Sequence, residues 1–229
     1  MVHKETWRHV IISVIIPSVQ YLCGWKAGIM REIGQITHIQ IQRSSLKVEN
    51  GAQSYYDPTP LVKVESLLLS PQGIIGVSTD GSQVMDIHHE HHPHSHNHKG
   101  LNGISLGFTS HYQAMRSKLG EHMVDGIAGE NILVETDASL ALGDLGGRLA
   151  IQNQYTGQFI YLSGLMVAAP CVEFSLFAAN HGMPLPAAQL KKTLQFLDGG
   201  TRGFYARMED LPAAVTVQAG DRVYVVDDR

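Results

Sequence analysis

Short runs of β-branched and apolar residues, separated by glycine, proline and aspartate, fill the chain from Gly34 to its C-terminal end. They recur about every 8–12 residues, a spacing typical of antiparallel sandwiches and barrels. The long apolar runs of a parallel α/β sheet are missing, so the pattern predicts a mainly β fold, a β-barrel with flanking short helices. The predicted strands are Gln35–Gln42, Leu61–Leu69, Ile74–Ser78, Asn102–Phe108, Asn131–Glu135, Arg148–Gln152, Gln158–Val167, Phe204–Met208, Ala214–Gln218 and Arg222–Val226.

Three segments have helical rather than strand spacing. The first is predicted to run from Thr109 or Ser110, either of which can cap it, to Leu119. The other two predicted helices are Val172–Asn180 and Ala187–Phe196, which place apolar residues at helical intervals.

Composition excludes several classes of protein. Of 229 residues, 44% are hydrophobic and 17% are charged, as in a globular domain with a core. The net charge is −4 and no run rich in lysine or arginine occurs, so we expect no nucleic-acid partner. We expect one domain at residues 30–229, preceded by a segment at 1–29 that is an anchor, an accessory helix or an over-long start.

The apolar run at residues 10–16 is the feature that suggests an anchor. It is shorter than the roughly 20 residues that a bilayer-spanning helix needs, and no small-residue cleavage site follows it. The two cysteines, Cys23 and Cys171, lie far apart and match no disulfide framework. We therefore expect no membrane association and a cytoplasmic location.

Seven of the 13 histidines lie between positions 88 and 98. Their composition predicts a solvated loop with weak metal affinity. Imidazoles bind zinc or nickel, so His88, His89, His91 and His92 are candidate ligands. Their irregular spacing defines no coordination geometry, however, and such tracts bind metals indiscriminately.

Cys171 follows Pro170 at the predicted junction of a strand and a helix. At a helix N-terminus the macrodipole and the unpaired N–H groups stabilise a thiolate, which is the nucleophilic and metal-binding form of cysteine. The alternative is a buried, inert thiol, because free cysteine is among the most often buried residues.

The second unusual stretch is the segment from Gly126 to Ile132. Its two glycines, three residues apart, suggest a backbone that approaches another group closely, and Glu130 and Asn131 offer hydrogen-bonding side chains beside them. The alternative is that these side chains satisfy buried turn amides.

Taken in order, these segments resemble the MOSC domain, which occurs at the C-terminus of molybdenum-cofactor sulfurases and as stand-alone bacterial proteins. The family also usually has a Gly-Asp-x-His-like segment before the strand that ends at Phe108, a region that here contains residues 76–81 and the histidine run. The matching residues are Gly126-x-x-Gly129-Glu130-Asn131-Ile132, Gly143-Asp144, Pro170-Cys171, Thr201-Arg202-Gly203-Phe204-Tyr205-Ala206-Arg207 and Gly220-Asp221-Arg222-Val223.

The resemblance implies a MOSC-type β-barrel that handles sulfur and molybdenum cofactor, with Cys171 as sulfur carrier or molybdenum ligand. It makes Arg202 and Arg207 candidates for an anion site that holds the cofactor phosphate, whereas Arg148 is better explained as a surface residue. The implied cofactor-binding residues are Gly129, Glu130, Asn131, Asp144, Arg202 and Arg207.

Three hypotheses follow. The first is a protein that binds molybdenum cofactor or carries persulfide sulfur on Cys171; if it is an enzyme, it is a molybdenum-dependent reductase or a sulfur transferase. Its partners would be a small-molecule cofactor or substrate and a sulfur-donor or redox protein. The second is a zinc- or nickel-binding or sensing protein that acts through the histidine loop. The third is a silent adaptor, which requires Cys171 to be buried.

Overall fold

The computed structural model describes residues 29–51, 53–97, 100–209 and 214–227. The segment expected at residues 1–29 therefore lies outside the described residues, apart from Ile29. Cys23 and His98 also lie outside them.

Strands and short helices follow one another in the order that the residue spacing suggests. The strands are β1 (Ile29–Gln42), β2 (Lys47–Asn50), β3 (Gln53–Tyr56), β4 (Leu61–Lys63), β5 (Ser66–Ser70), β6 (Gly73–Val77), β7 (Gln83–Met85), β8 (Ile104–Phe108), β9 (Ile132–Glu135), β10 (Arg148–Gln152), β11 (Phe159–Val167), β12 (Phe204–Met208), β13 (Val215–Val217) and β14 (Arg222–Asp227). The α-helices are α1 (Thr109–Leu119), α2 (Val172–Asn180) and α3 (Ala187–Leu197), and a 3₁₀ turn spans Leu142–Leu145.

Seven of these strands close into a barrel. Their order is β14-β10-β11-β12-β8-β9-β1, and β1 pairs again with β14. Neighbours are antiparallel except for β8 and β9, which are parallel. The long strand β1 has irregular register between Glu32 and Gly34 and between Ile36 and His38, so it bends and pairs with β14, β9 and β4 in turn.

Two apolar clusters hold this arrangement together. One fills the barrel with side chains from alternate strand positions, among them Ile36, Leu106 and Phe204. The other joins the helices to the barrel wall through residues such as Tyr112 and Phe174. A separate four-stranded sheet, β13-β5-β6-β7, and the hairpin β2–β3 complete the described fold.

The predicted mainly β barrel with flanking helices is confirmed, and α2 has the predicted bounds. The prediction of one strand at Leu61–Leu69 is wrong, because β4 ends at Lys63, where it pairs with β1, and β5 belongs to the small sheet. The predicted cap of α1 is also wrong: Phe108 occupies the N-cap position, and the Thr109 hydroxyl donates to the Thr136 carbonyl instead. In the described part of the chain, no helix is both long and apolar enough to cross a membrane.

Candidate functional site

A pocket of about 260 Å³ lies where the hairpin β2–β3, the start of α2 and the segment before β12 meet. This volume is near the lower limit of small-molecule pockets, which is roughly 300 Å³. Among the residues predicted for the site, the lining brings together Gly129, Glu130, Cys171, Arg202 and His88. Residues from distant parts of the sequence therefore converge on one cavity.

Cys171 is exposed and occupies the N-cap position of α2. Its extended backbone lets its Sγ accept a hydrogen bond from the amide of Phe174 at 3.3 Å, and its carbonyl accepts from the amide of Ser175. An N–H donor and the positive end of the helix both stabilise negative charge on this sulfur. The adaptor hypothesis requires a buried Cys171, and this exposure contradicts it.

Glu173, in the first turn of α2, ties the hairpin β2–β3 to the start of the helix. Its Oε1 lies 2.9 Å from Nζ of Lys47 and accepts a hydrogen bond from the Ser54 hydroxyl at 2.6 Å. Burial alone raises the pKa of Glu173, but the hydrogen bonds from Ser54 and Lys47 outweigh this effect and lower the pKa to about 2. The hairpin, which supplies Lys47 and Tyr56 to the pocket lining, is thus held against the cysteine-bearing helix.

Glu130 is 4% exposed and accepts a 2.6 Å hydrogen bond from the Tyr112 hydroxyl at its Oε2. Its Oε1 is buried and has no hydrogen-bond partner among the described residues. Burial raises the pKa of Glu130 to about 7, although the Tyr112 hydrogen bond and the charge of Arg202 oppose this effect. This carboxyl group therefore exchanges its proton near neutral pH.

Arg202 supplies a positive charge to the same pocket. One terminal nitrogen donates to the Ala128 carbonyl at 3.2 Å, whereas the buried Nε lacks a hydrogen-bond partner within the described ranges. Burial lowers the pKa of Arg202, but the nearby Tyr205, Tyr56 and Glu130 outweigh it and raise the pKa, so the guanidinium stays charged. An orphaned buried donor of this kind is costly unless a water or a ligand satisfies it.

Position 129, beside the pocket, requires a glycine. Its φ is +95°, and a Cβ placed on it would lie 2.8 Å from a methyl group of Leu46. The close backbone approach that the sequence predicts here is therefore confirmed, with the hairpin segment as the group approached.

Sequence reasoning missed Asp86, which is completely buried beside the pocket. Its two oxygens accept from the amide of Gln42 at 2.7 Å, the amide and Nδ1 of His88 at 2.8 and 3.0 Å, and Nδ2 of Asn131 at 2.8 Å. Asp86 thereby fixes His88, whose ring lines the pocket. The available signal was the Asp-x-His spacing of Asp86 and His88, with Met85 in place of the glycine that the family pattern expects.

Three predicted cofactor residues lie away from the pocket lining. The Asn131 side chain binds the protein itself, because its Oδ1 accepts from Ser105 while its Nδ2 donates to Asp86. Asp144 accepts from the Ala141 amide and caps the 3₁₀ turn. Arg207 is exposed on β12. Two of the three thus have hydrogen bonds that account for their places in the sequence without a ligand.

Arg148, the third arginine considered, forms two 2.7 Å hydrogen bonds with the carboxylate of Glu209. It also lies over the ring of Tyr161. The prediction that Arg148 is a surface residue is wrong, because its side chain is only 12% exposed and is paired with Glu209.

The histidine segment forms successive turns from Ile87 to His94. His91 and His94 are exposed as predicted, but the prediction is wrong for His88 and His89, which are buried. Among the described residues, no group of three or more histidine, cysteine, aspartate or glutamate side chains is placed to hold a metal ion. His89, His91 and His92 do not line the pocket, so three of the four predicted zinc or nickel ligands lie outside it.

A barrel of this topology with a cysteine-containing pocket defines a class of small β-barrel domains, and comparison with known proteins identifies the family. The family model for the MOSC domain matches residues 94–224, more than half of the chain. The chain therefore belongs to the MOSC domain family, which is associated with molybdenum cofactor.

Solved structures agree on the fold. The crystal structure of the YuaD protein from Bacillus subtilis is 13% identical and matches with a TM-score of 0.53, covering 88% of this chain and 100% of that chain. YiiM from Geobacillus stearothermophilus is 14% identical and matches with a TM-score of 0.46, covering 87% of this chain and 76% of that one. No curated protein sequence matches the chain. At 13% identity, the similarity to YuaD shows the fold and nothing finer.

Proposed function

We propose that the pocket binds a molybdenum-containing pterin cofactor through Cys171, or carries sulfur on Cys171 as a persulfide. One observation carries this proposal. An exposed cysteine at the start of α2 lines the same cavity as two buried polar atoms that have no hydrogen-bond partner among the described residues, Oε1 of Glu130 and Nε of Arg202. A cavity with unsatisfied polar groups beside a nucleophilic sulfur is suited to a polar ligand.

The side chains of the pocket fit such a cofactor. A thiolate is the soft ligand that suits molybdenum and persulfide sulfur. Arg202 and Lys47 supply the positive charge that a phosphate group needs, and Glu130 supplies an oxygen for the polar edge of a pterin. We therefore assign Cys171 to the metal, Arg202 and Lys47 to the phosphate and Glu130 to the heterocycle.

A molybdenum cofactor supplies two-electron redox chemistry when it is bound. Among the residues of the chain, the Phe174 amide donates a hydrogen bond to the sulfur of Cys171, and Arg202 orients the anionic part of the ligand. Glu130 is the residue of the pocket that holds or releases a proton near neutral pH.

The sulfur-carrier version of the proposal uses the same thiolate. Cys171 attacks the outer sulfur of a donor persulfide, the donor thiolate leaves, and Cys171 then holds the transferred sulfur as a persulfide. Such a step needs a sulfur-donor partner and a compartment that keeps free thiols reduced. We therefore propose that the protein acts in the cytoplasm.

Elemental analysis tests this proposal. The protein is produced without a histidine tag in a host that makes molybdenum cofactor, as wild type, Cys171→Ser and the matched control Cys23→Ser. We expect wild type and Cys23→Ser to contain molybdenum, or cyanide-releasable sulfur measured as thiocyanate. We expect Cys171→Ser to contain neither.

Two outcomes contradict the proposal. One is the same molybdenum and sulfur content in Cys171→Ser as in wild type. The other is zinc or nickel in every variant with neither molybdenum nor releasable sulfur, which directs attention to the histidine segment.

A further inference from the structure

Glu130 occupies a place that the fold keeps free for a carboxyl group. Gly107 lies in the middle of the buried strand β8, and a Cβ at this position would lie 2.7 Å from Oε1 of Glu130. Glycine weakens a strand interior, so its presence where a side chain would collide with Glu130 indicates close packing of that carboxyl group. The Tyr112 hydroxyl fixes the other oxygen.

No lysine or arginine of the described chain lies within ion-pair distance of Glu130. The charged and titratable groups that act on it from the surrounding elements are Tyr112 of α1, Tyr56 of β3, Asp125 in the preceding loop and Arg202 before β12. A buried carboxylate without a paired cation is costly, and protonation removes that cost.

The charge of the pocket therefore depends on this one acid. Arg202 and Lys47 contribute positive charge to the lining, and the charge of Lys47 is paired with Glu173. Among the described residues, Glu130 is the only aspartate or glutamate of the lining. With Glu130 protonated, the lining attracts an anion; with Glu130 ionised, its negative charge in the same cavity opposes anion binding.

We propose that Glu130 makes anion binding in the pocket proton-linked, so that a small anionic ligand binds together with one proton on Glu130 and is disfavoured when Glu130 ionises. The inference rests on the proposed ligand-binding role of the pocket and specifies the ligand class as anionic, taken up with a proton. It does not depend on whether the anion belongs to a pterin cofactor or to a smaller molecule.

Cys171 provides the probe of this proposal, because it lies in the same cavity. In a Cys23→Ser background, its alkylation rate is measured with neutral iodoacetamide and with anionic iodoacetate across neutral pH. Both reagents lose iodide to the same thiolate, so the iodoacetate-to-iodoacetamide rate ratio cancels the thiolate fraction and reports how well the pocket admits an anion. His88 and His96 also line the pocket, so the informative quantity is the difference between proteins with and without the Glu130→Gln substitution.

As pH rises through 7, we expect the iodoacetate-to-iodoacetamide rate ratio to fall in the Cys23→Ser protein. This fall should be roughly threefold to tenfold larger than in the protein that carries both Cys23→Ser and Glu130→Gln. Tyr112→Phe removes a hydrogen bond that lowers the pKa of Glu130, so this fall should move to higher pH. Glu173→Gln is the control, because Glu173 is ionised throughout this range and its loss should raise the ratio equally at every pH.

The proposal is overturned if the ratio has the same pH dependence with glutamate and with glutamine at position 130. If Glu130→Gln does not fold, an unshifted profile in Tyr112→Phe overturns it instead. The measurement uses protein without cofactor, so failure to find molybdenum and failure of proton-linked anion binding remain separate results.

Discussion

Two buried acids, Glu130 in the pocket lining and Asp86 behind His88, have opposite surroundings. Asp86 is 0% exposed and accepts four hydrogen bonds, from Gln42, His88 and Asn131. Glu130 is 4% exposed and accepts one, from Tyr112, while its other oxygen has no partner in the part of the chain that the structure describes.

The difference in hydrogen bonding indicates a structural role for Asp86 and a ligand-binding role for Glu130. An acid whose oxygens all accept hydrogen bonds holds in place the segments that supply the donors. Removing it leaves those buried donors without partners. An acid buried with an unsatisfied oxygen makes the fold less stable when it ionises, and such a cost is typical of sites that a ligand or a proton completes. We infer that the Asp86 region is the scaffold of the pocket and that the Glu130 region belongs to its ligand.

Removing Asp86 should have the largest effect. Asp86→Ala leaves the donors of Gln42, His88 and Asn131 unpaired in the interior, and we expect it to lower the free energy of unfolding by about 4 kcal/mol. Urea denaturation of both proteins measures this change. A loss below about 1 kcal/mol would show that Asp86 is not a scaffold residue.

Replacing Glu130 should change how stability depends on pH. Because folding raises the pKa of Glu130 to about 7, the stability that its protonated form gives is complete below about pH 4.5 and is lost as pH rises to about 7. Wild type should therefore lose on the order of 3 kcal/mol relative to Glu130→Gln over this range. A constant difference between the two proteins from pH 4 to pH 8 would contradict the contrast with Asp86.

A smaller effect tests the packing around Glu130. Gly107→Ala adds a methyl group against its Oε1, and we expect a destabilisation of about 2 kcal/mol, measured by urea denaturation. In a Glu130→Ala background the same substitution should cost at least about 1 kcal/mol less, because the colliding group is gone. Additive effects of the two substitutions would show that they do not interact.

The smallest effect concerns the hairpin contact of Glu173. Folding lowers the pKa of Glu173 to about 2, so its contribution is present above about pH 4.5 and is lost as pH falls toward 2. Its partner Lys47 is half exposed to solvent, so we expect Glu173→Gln to cost only about 1 kcal/mol at pH 7, with the cost shrinking in acid. A cost that does not change below pH 4.5 would exclude the ion pair as its cause.

Local spacing predicts most of the fold but only part of the site. The bounds of α2 and the place of Cys171 follow from a proline, a cysteine and an apolar pattern within a few residues of one another. The hairpin β2–β3 has four-residue polar strands without a clear apolar alternation, so sequence reasoning missed it.

The scaffold acid was missed for another reason. The bonds of Asp86 to Gln42 and Asn131 join positions 44 and 45 residues apart, and those distances depend on how the barrel closes. Conversely, Asn131 stands beside Glu130 in the sequence motif, but its side chain forms hydrogen bonds with Asp86 and Ser105. Adjacent motif residues therefore have different surroundings, which the sequence alone does not distinguish.

The most direct test of the contrast between the two acids is the titration of the Glu130 carboxyl group. Carbon-13 NMR of the full chain, with side-chain carboxyls labelled and the resonance assigned from Glu130→Gln, follows its ionisation as pH is varied. We predict a midpoint near pH 7. A midpoint near the ordinary glutamate value of about 4.3 would show that Glu130 is as well satisfied as Asp86, and it would contradict the assignment of this carboxyl group to the ligand.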